Sequence, residues 1–228
     1  MTGAGTVGTM ASSERTGAGA RRPRRMAPHR RREDLIRTAL ELFALRSPDR
    51  VTPEDVAEAA DVSRALVYRY FPNMAELREA ALRTAVDELA PRLAPPPDLP
   101  VTEQLRTALR AFIAFADAYA PAYTALLRGG SIVATESTES VIDEVRRQVL
   151  DLLLERSGAG EPAPRELLAM RCWISTVESA VLIWLQERPM GAEELADWLL
   201  DQLLAMTGAA GAGEVETRAA GARVGDRP

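Results

Sequence analysis

VTPEDVAEAADVSRALVYRYFPNMAEL, residues 51–77, decides how the whole chain is read. Thr52 stands ahead of Pro53, and Asp55 follows the threonine by three positions. That is a helix start: the hydroxyl can cap, proline suits the first helical position, and the carboxylate completes a capping box. Val56, Ala57 and Ala60 then fall on one face of a short helix ending near Ala60. Ser63 is a second N-cap, opening a helix that runs through Arg64, Ala65, Leu66, Val67, Tyr68 and Arg69 towards Phe71, where Pro72 stops it. Two short helices parted by a turn of about three residues make a helix-turn-helix, the motif whose second helix enters the major groove of a duplex.

Upstream, Leu35, Ile36, Ala39, Leu40 and Phe43 recur at helical spacing, which predicts an amphipathic helix from about residue 31 to 46 beneath the pair. Val56, Ala57, Ala60, Val62, Leu66 and Val67 can face Phe43 as a small core, leaving Arg64, Ala65, Tyr68, Arg69 and Tyr70 outward. Guanidinium groups without nearby acids can read guanine edges or clamp phosphates, and phenols can bond the backbone of a duplex. Tyr68 and Tyr70 can equally pack on a second lobe. Phe71, at the end of a short helix, is read as core.

The charge distribution points the same way. Residues 1–50 carry 11 arginines against 5 acidic residues, a balance of +6, while the remaining 178 residues carry −11. A basic front on an acidic body suits a protein that offers one face to phosphate and keeps the rest off it. Lysine is absent, so every basic contact must be arginine. Arg21, Arg22, Arg24, Arg25, Arg30, Arg31 and Arg32 are either contacts to a polyanion or a solvated tail.

Residues 1–29, rich in Gly, Ala, Ser and Thr before the arginines, are expected to be a disordered basic arm, with Met10 and Met26 as alternative starts. Residues 30–76 form the helix-turn-helix domain, 77–207 a second helical domain, and 208–228 a Gly- and Ala-rich disordered tail. Pro91, Pro95, Pro96, Pro97 and Pro100 cannot be helix interior, so the lobes divide near residue 90. Helices are expected from Met74 to Ala90, Thr102 to Tyr119, Pro121 to Arg128, Glu136 to Arg156, Pro164 to Glu187 and Ala192 to Met206. The fold class is all-α: a three-helix N-terminal domain and a C-terminal helical bundle.

Residues 51–77 resemble the N-terminal domain of the TetR family of repressors, whose usual form has T, then IA, AGVS, a small residue, LY, an aromatic or histidine, F and a lysine. Carried over by position, the resemblance implies phosphate contacts from Thr52, Ser63, Tyr68 and Tyr70, and groove contacts from Arg64, Ala65 and Arg69. Two positions depart from the pattern. Asp61 replaces the turn glycine and is among the few residues tolerated at positive φ. Met74 replaces the lysine that commonly opens the fourth helix, so one phosphate anchor is missing, although Asn73 can cap that helix start.

The resemblance further implies nine helices and dimerisation through the last two. Those helices carry wide apolar stripes, Met170, Trp173, Ile174, Val177, Val181, Trp184 and Leu185 on one, and Leu195, Trp198, Leu199, Leu203 and Met206 on the other. Such stripes exceed what one intramolecular face needs, which predicts a twofold dimer with Trp184, Leu195, Trp198 and Leu199 at its interface.

Phe112, Phe115, Tyr119 and Tyr123 cluster in the second lobe near Arg128, either as a ligand pocket completed by Trp173 or as ordinary core. Glu178 lies between Ile174 and Leu182 on an apolar helix and needs a partner: Arg128, an effector, or an arginine of the other protomer, the last being preferred. Cys172 is read as structural.

Other classes are excluded or set aside. With 46% apolar and 27% charged residues the chain is an ordinary globular protein rather than a disordered one. The run Ser179 to Leu185 is far shorter than the roughly 20 residues that cross a bilayer, and no secretory leader pattern appears. One cysteine permits no internal disulfide, so a reducing cytoplasm is expected. The sole histidine, His29, lies in the arm, and no nucleotide loop or metal-ligand spacing occurs, so neither an enzyme, a cofactor nor a metal is expected. The expected function is a DNA-binding transcription regulator, a repressor released from a palindromic operator by a small-molecule effector. A ligand-independent DNA organiser or a helical protein-interaction module is the alternative.

Overall fold

The computed structural model describes residues 28–127, 135–157 and 162–224, with side chains described at all of these except 157 and 209–224. Among the described residues there are nine α-helices, one short 3-10 turn and no strand. The first lobe comprises α1 (Pro28–Leu45), the 3-10 turn Pro48–Arg50, α2 (Pro53–Ala59) and α3 (Arg64–Tyr70). The second comprises α4 (Met74–Leu93), α5 (Val101–Ala118), α6 (Ala120–Leu127), α7 (Glu136–Ser157), α8 (Pro164–Glu187) and α9 (Ala192–Val224).

The caps form where the sequence places them. Thr52 Oγ1 accepts from the Asp55 amide at 3.2 Å, and Asp55 Oδ2 accepts from the Thr52 amide at 2.8 Å, closing the capping box. Ser63 Oγ accepts from the Leu66 amide at 3.3 Å and Asn73 Oδ1 from the Glu76 amide at 2.9 Å. Asp61 takes φ 51° in the turn between α2 and α3. Its short polar side chain tolerates this left-handed backbone better than most.

One core lies under the paired helices. Leu35, Ala39 and Phe43 of α1, Val56 of α2, Val67 of α3, Phe71, and Leu77 and Ala81 of α4 pack together out of water. Phe71 is buried, as its place at the helix end predicts. The second core joins Ile113 of α5, Leu153 of α7, Trp173, Val177 and Val181 of α8, and Leu199 of α9. Helix α4 belongs to both lobes: Leu77, Ala81 and Ala85 join the first core, while α5 and α7 pack along it.

Several boundaries differ from expectation. Helix α1 begins at Pro28, so Pro28 and His29 are helical rather than part of the arm; proline at a first turn loses no intrahelical hydrogen bond. The rest of the arm, with Arg21 to Arg25, lies outside the described residues. Pro91 sits inside α4 despite the rule applied to it. It falls in the last turn, where losing one amide donor removes a single bond and little helix follows to be bent. Helix α9 runs to Val224, through most of the expected tail. No proline interrupts that stretch, and alanine, its commonest residue, is the best helix former. Helix α8 is long and apolar enough, by length and composition, to cross a membrane, although no continuous apolar run shows it. Its most apolar stripe, Trp173, Val177, Val181 and Trp184, is spent inside the second core.

Candidate nucleic-acid interface and ligand cavity

Helix α3 is seven residues long and too short to be stable alone. Val67 is buried and Leu66 half-buried against the first core, and this fixes which face looks out: Ser63, Arg64, Ala65, Tyr68 and Arg69 are exposed. Tyr70 is half-buried, packed against the first core.

Arg64 is held from two sides. Its Nη1 lies 2.6 Å from Glu54 Oε1 on α2, and its guanidinium stacks 5.3 Å from the Tyr68 ring centroid. The expectation of arginines without nearby acids fails at this residue, because α2 and α3 fold Glu54 alongside it. Arg69 has no such partner among the described residues. Thr52 Oγ1 donates to Asp55 Oδ2 at 2.8 Å, so its proton is spent within the capping box, whereas Ser63 Oγ only accepts among the described residues. Asp55 also meets Arg46 at 2.9 Å. Its carboxyl is held below the usual 3.8, first by the Thr52 amide, then by the Thr52 hydroxyl and Arg46.

Beside this face, the first turns of α1 present Arg30 and Arg32, both exposed, and Arg31, which pairs with Asp34 at 3.1 Å. Arg32 lies 4.9 Å over the Phe71 ring, tying the start of α1 to the end of α3. Exposed arginines thus stand at the start of α1 and on α3.

In the second lobe Phe112, Phe115, Tyr119, Tyr123 and Glu178 line one cavity of about 130 Å³. Phe112 and Glu178 also line an adjoining cavity of about 100 Å³, which adds Trp173. Phe112 meets Tyr123 edge to face at 5.9 Å, and Phe115 meets Tyr119 at 5.0 Å. Tyr123 donates its hydroxyl to the Glu178 carbonyl at 3.2 Å, and burial pushes its pKa far up, so it stays a neutral donor. Arg128 lies outside the described residues. Trp173 donates its indole N–H to the Leu199 carbonyl at 2.7 Å and has only its ring to offer the cavity.

Among the described residues, the partner of Glu178 is one that was not expected. Arg146 of α7 takes it in a fork, Nε to Oε1 at 2.8 Å and Nη2 to Oε2 at 2.7 Å, within one protomer. The two residues are 32 positions apart, so no local pattern could have revealed the pair. Most of the side chains expected at the interface lie inside the protomer. Trp184, Leu195 and Leu199 are 4%, 3% and 0% exposed, buried where α8 packs on α9, and only Trp198, at 42%, remains outside. The outward apolar side chains are Leu168 and Ile183 on α8 and Trp198 and Leu204 on α9. Cys172 is exposed on α8.

Residues 35–81 match the family described as bacterial regulatory proteins, tetR family, and residues 101–206 the one described as tetracyclin repressor-like, C-terminal domain. The crystal structure of a tetR-family transcriptional regulator from Streptomyces coelicolor is 37% identical, with a TM-score of 0.80, over 89% of this chain and 92% of that one. A TetR-like regulator from Rhodococcus sp. RHA1, 22% identical with a TM-score of 0.57 over 78% and 96% of the two chains, has the same fold. Over 72 residues the chain is 40% identical to the HTH-type transcriptional regulator LuxR of Vibrio harveyi, a match spanning 31% of this chain and 35% of that protein.

Proposed function

We propose, since the chain belongs to the TetR family of bacterial transcription regulators, that it is a cytoplasmic homodimeric repressor that leaves a palindromic operator when a small molecule enters its second lobe. The observation that carries the DNA half is the exposed face of α3, with Arg64, Ala65, Tyr68 and Arg69 raised on a packed core and flanked by Arg30 and Arg32. Arg69 and Arg64 read base edges, while Ser63, Tyr68 and the first turn of α1 hold phosphates. Thr52 and Tyr70 lie at the margin of this face and position it.

A twofold dimer supplies the second copy. Leu168, Ile183, Trp198 and Leu204 form the apolar surface that α8 and α9 offer a second copy, and the two α3 helices then address successive turns of a duplex, about 34 Å apart. The cavities between α4, α5, α7 and α8 supply the effector site, and α4 links them to the first lobe. A ligand that binds better to a dimer with altered α3 spacing shifts the population away from the DNA-bound form.

Selection of bound duplexes from a random pool by the full-length protein, followed by footprinting, tests this. An enriched inverted repeat protected on two successive turns is the expected result. Diffuse protection with no enriched sequence would favour a DNA organiser and sink the regulator reading.

A further inference from the structure

Arg78 of α4 sits at the end of the larger cavity nearest the helix-turn-helix, among Leu40, Phe43 and Pro48. Its Nε donates to the Pro48 carbonyl at 3.1 Å, and this is its one hydrogen bond among the described residues. No carboxylate pairs with it there; Asp49 acts on it only at longer range. The walls around it are almost wholly apolar, supplied by Leu82, Phe115, Leu126 and their neighbours. The other charged wall residue, Glu178, is already forked by Arg146. One unspent positive charge therefore lines an apolar chamber at one end, while the carboxylate where the two cavities adjoin is already paired.

We propose that the effector is an apolar molecule with an anionic head, seated with the head on the Arg78 guanidinium and the tail running past Phe112 into the second cavity. This rests on the reading of the second lobe as an effector site and adds the chemical class of the ligand. Burial disfavours the charged form of Arg78 and draws its pKa below the ordinary value, with Asp49 opposing. An anion in the cavity offsets that penalty by pairing with the half-buried charge. An apolar cavity of about 150 Å³ accommodates benzene, so the two adjoining chambers suit a ligand of roughly ten non-hydrogen atoms. The same residue reports the ligand to the DNA face. Pro48 opens the 3-10 turn that joins α1 to α2, so an anion that draws Arg78 aside loosens its hold on the segment leading into the helix-turn-helix.

Octanoate, 1-octanol and octylamine share a tail and differ in head, and titration of the full-length protein with each, followed by tryptophan fluorescence, separates them. Octanoate is expected to bind at least tenfold more tightly than octanol. Arg78→Met should lose that advantage while leaving octanol affinity within about twofold, and Arg78→Lys should keep part of it. Octanoate should also release a selected operator duplex from the wild type and not from Arg78→Met. Equal binding of acid and alcohol by the wild type overturns the proposal, and that comparison stands even if Arg78→Met does not fold. Preferential binding of octylamine overturns the anionic head and leaves the effector site standing. Absence of binding by all three overturns the proposal, and the operator selection, run without ligand, still decides the DNA reading.

Discussion

Arg64 and Arg69 differ in how free they are to meet a base. Glu54 and the Tyr68 ring hold Arg64 in one place, and the Tyr68 hydroxyl, ahead of Glu54, raises its pKa further. Arg69 has neither restraint among the described residues and is free to take the base-edge role proposed for it. Arg69→Ala is therefore expected to weaken binding to the selected operator by about 1–3 kcal/mol and to leave random duplex nearly unaffected. Tyr68→Phe removes the hydroxyl proposed to meet the sugar-phosphate backbone and should weaken binding on all sequences by about 1 kcal/mol. Paired titrations of operator and random duplex by fluorescence anisotropy check both, and equal losses on the two duplexes in both variants would show that the roles are misassigned. In the second lobe the fork from Arg146 to Glu178 is half open to water, so Glu178→Gln should cost about 1–2 kcal/mol by thermal melting.

Helices α2 and α3 are each seven residues long and depend on their ends. Asp55 stabilises α2 as a carboxylate, because its folded pKa lies below 3.8 and the unfolded value does not. That contribution is complete above the unfolded value and disappears as pH falls through the folded one. Asp55→Ala should lower stability by about 0.5–1 kcal/mol at neutral pH, with the gap to wild type narrowing as pH falls below the unfolded value. Circular-dichroism melts at pH 7 and pH 3 measure it; a gap that grows in acid would contradict the capping role. Helix α4 shows the opposite case. Its length and its packing on both lobes absorb Pro91 in the last turn, a residue that a shorter helix could not hold.

Dimerisation and operator affinity belong together. With the inner stripe of α8 and α9 consumed in the protomer core, the proposed dimer must use the outward set of Leu168, Ile183, Trp198 and Leu204. Ile183→Glu combined with Trp198→Glu is expected to give a folded monomer in sedimentation experiments, with helical content unchanged. Affinity for an inverted repeat should drop on the order of 10²-fold or more, since two half-sites bound by separate molecules lose their effective concentration. A dimer that survives both changes would place the interface elsewhere.

Local signals were legible in the linear order of residues. Thr52 with Asp55, Ser63, Asn73 and Pro72 mark helix ends because a cap needs only neighbours three residues away, and the spacing of Leu35 to Phe43 names a buried face before any partner is known. The helix-turn-helix, the all-α class and the aromatic set Phe112 to Tyr123 followed from such patterns. Partners distant along the chain did not. Glu178 asks for a cation but does not say which, and only the packing of α7 on α8 brings Arg146 to it. An apolar stripe likewise states that a face is buried without stating by what, so Trp184, Leu195 and Leu199 read as an interface until α8 and α9 close on each other. Arg78 carried no signal at all, because an arginine on an amphipathic helix looks solvated until the Pro48 turn and the cavity walls fold around it. Short-range hydrogen-bond geometry and periodicity are written in consecutive residues, whereas the choice among equally apolar or equally charged partners is settled by which helices come to lie side by side.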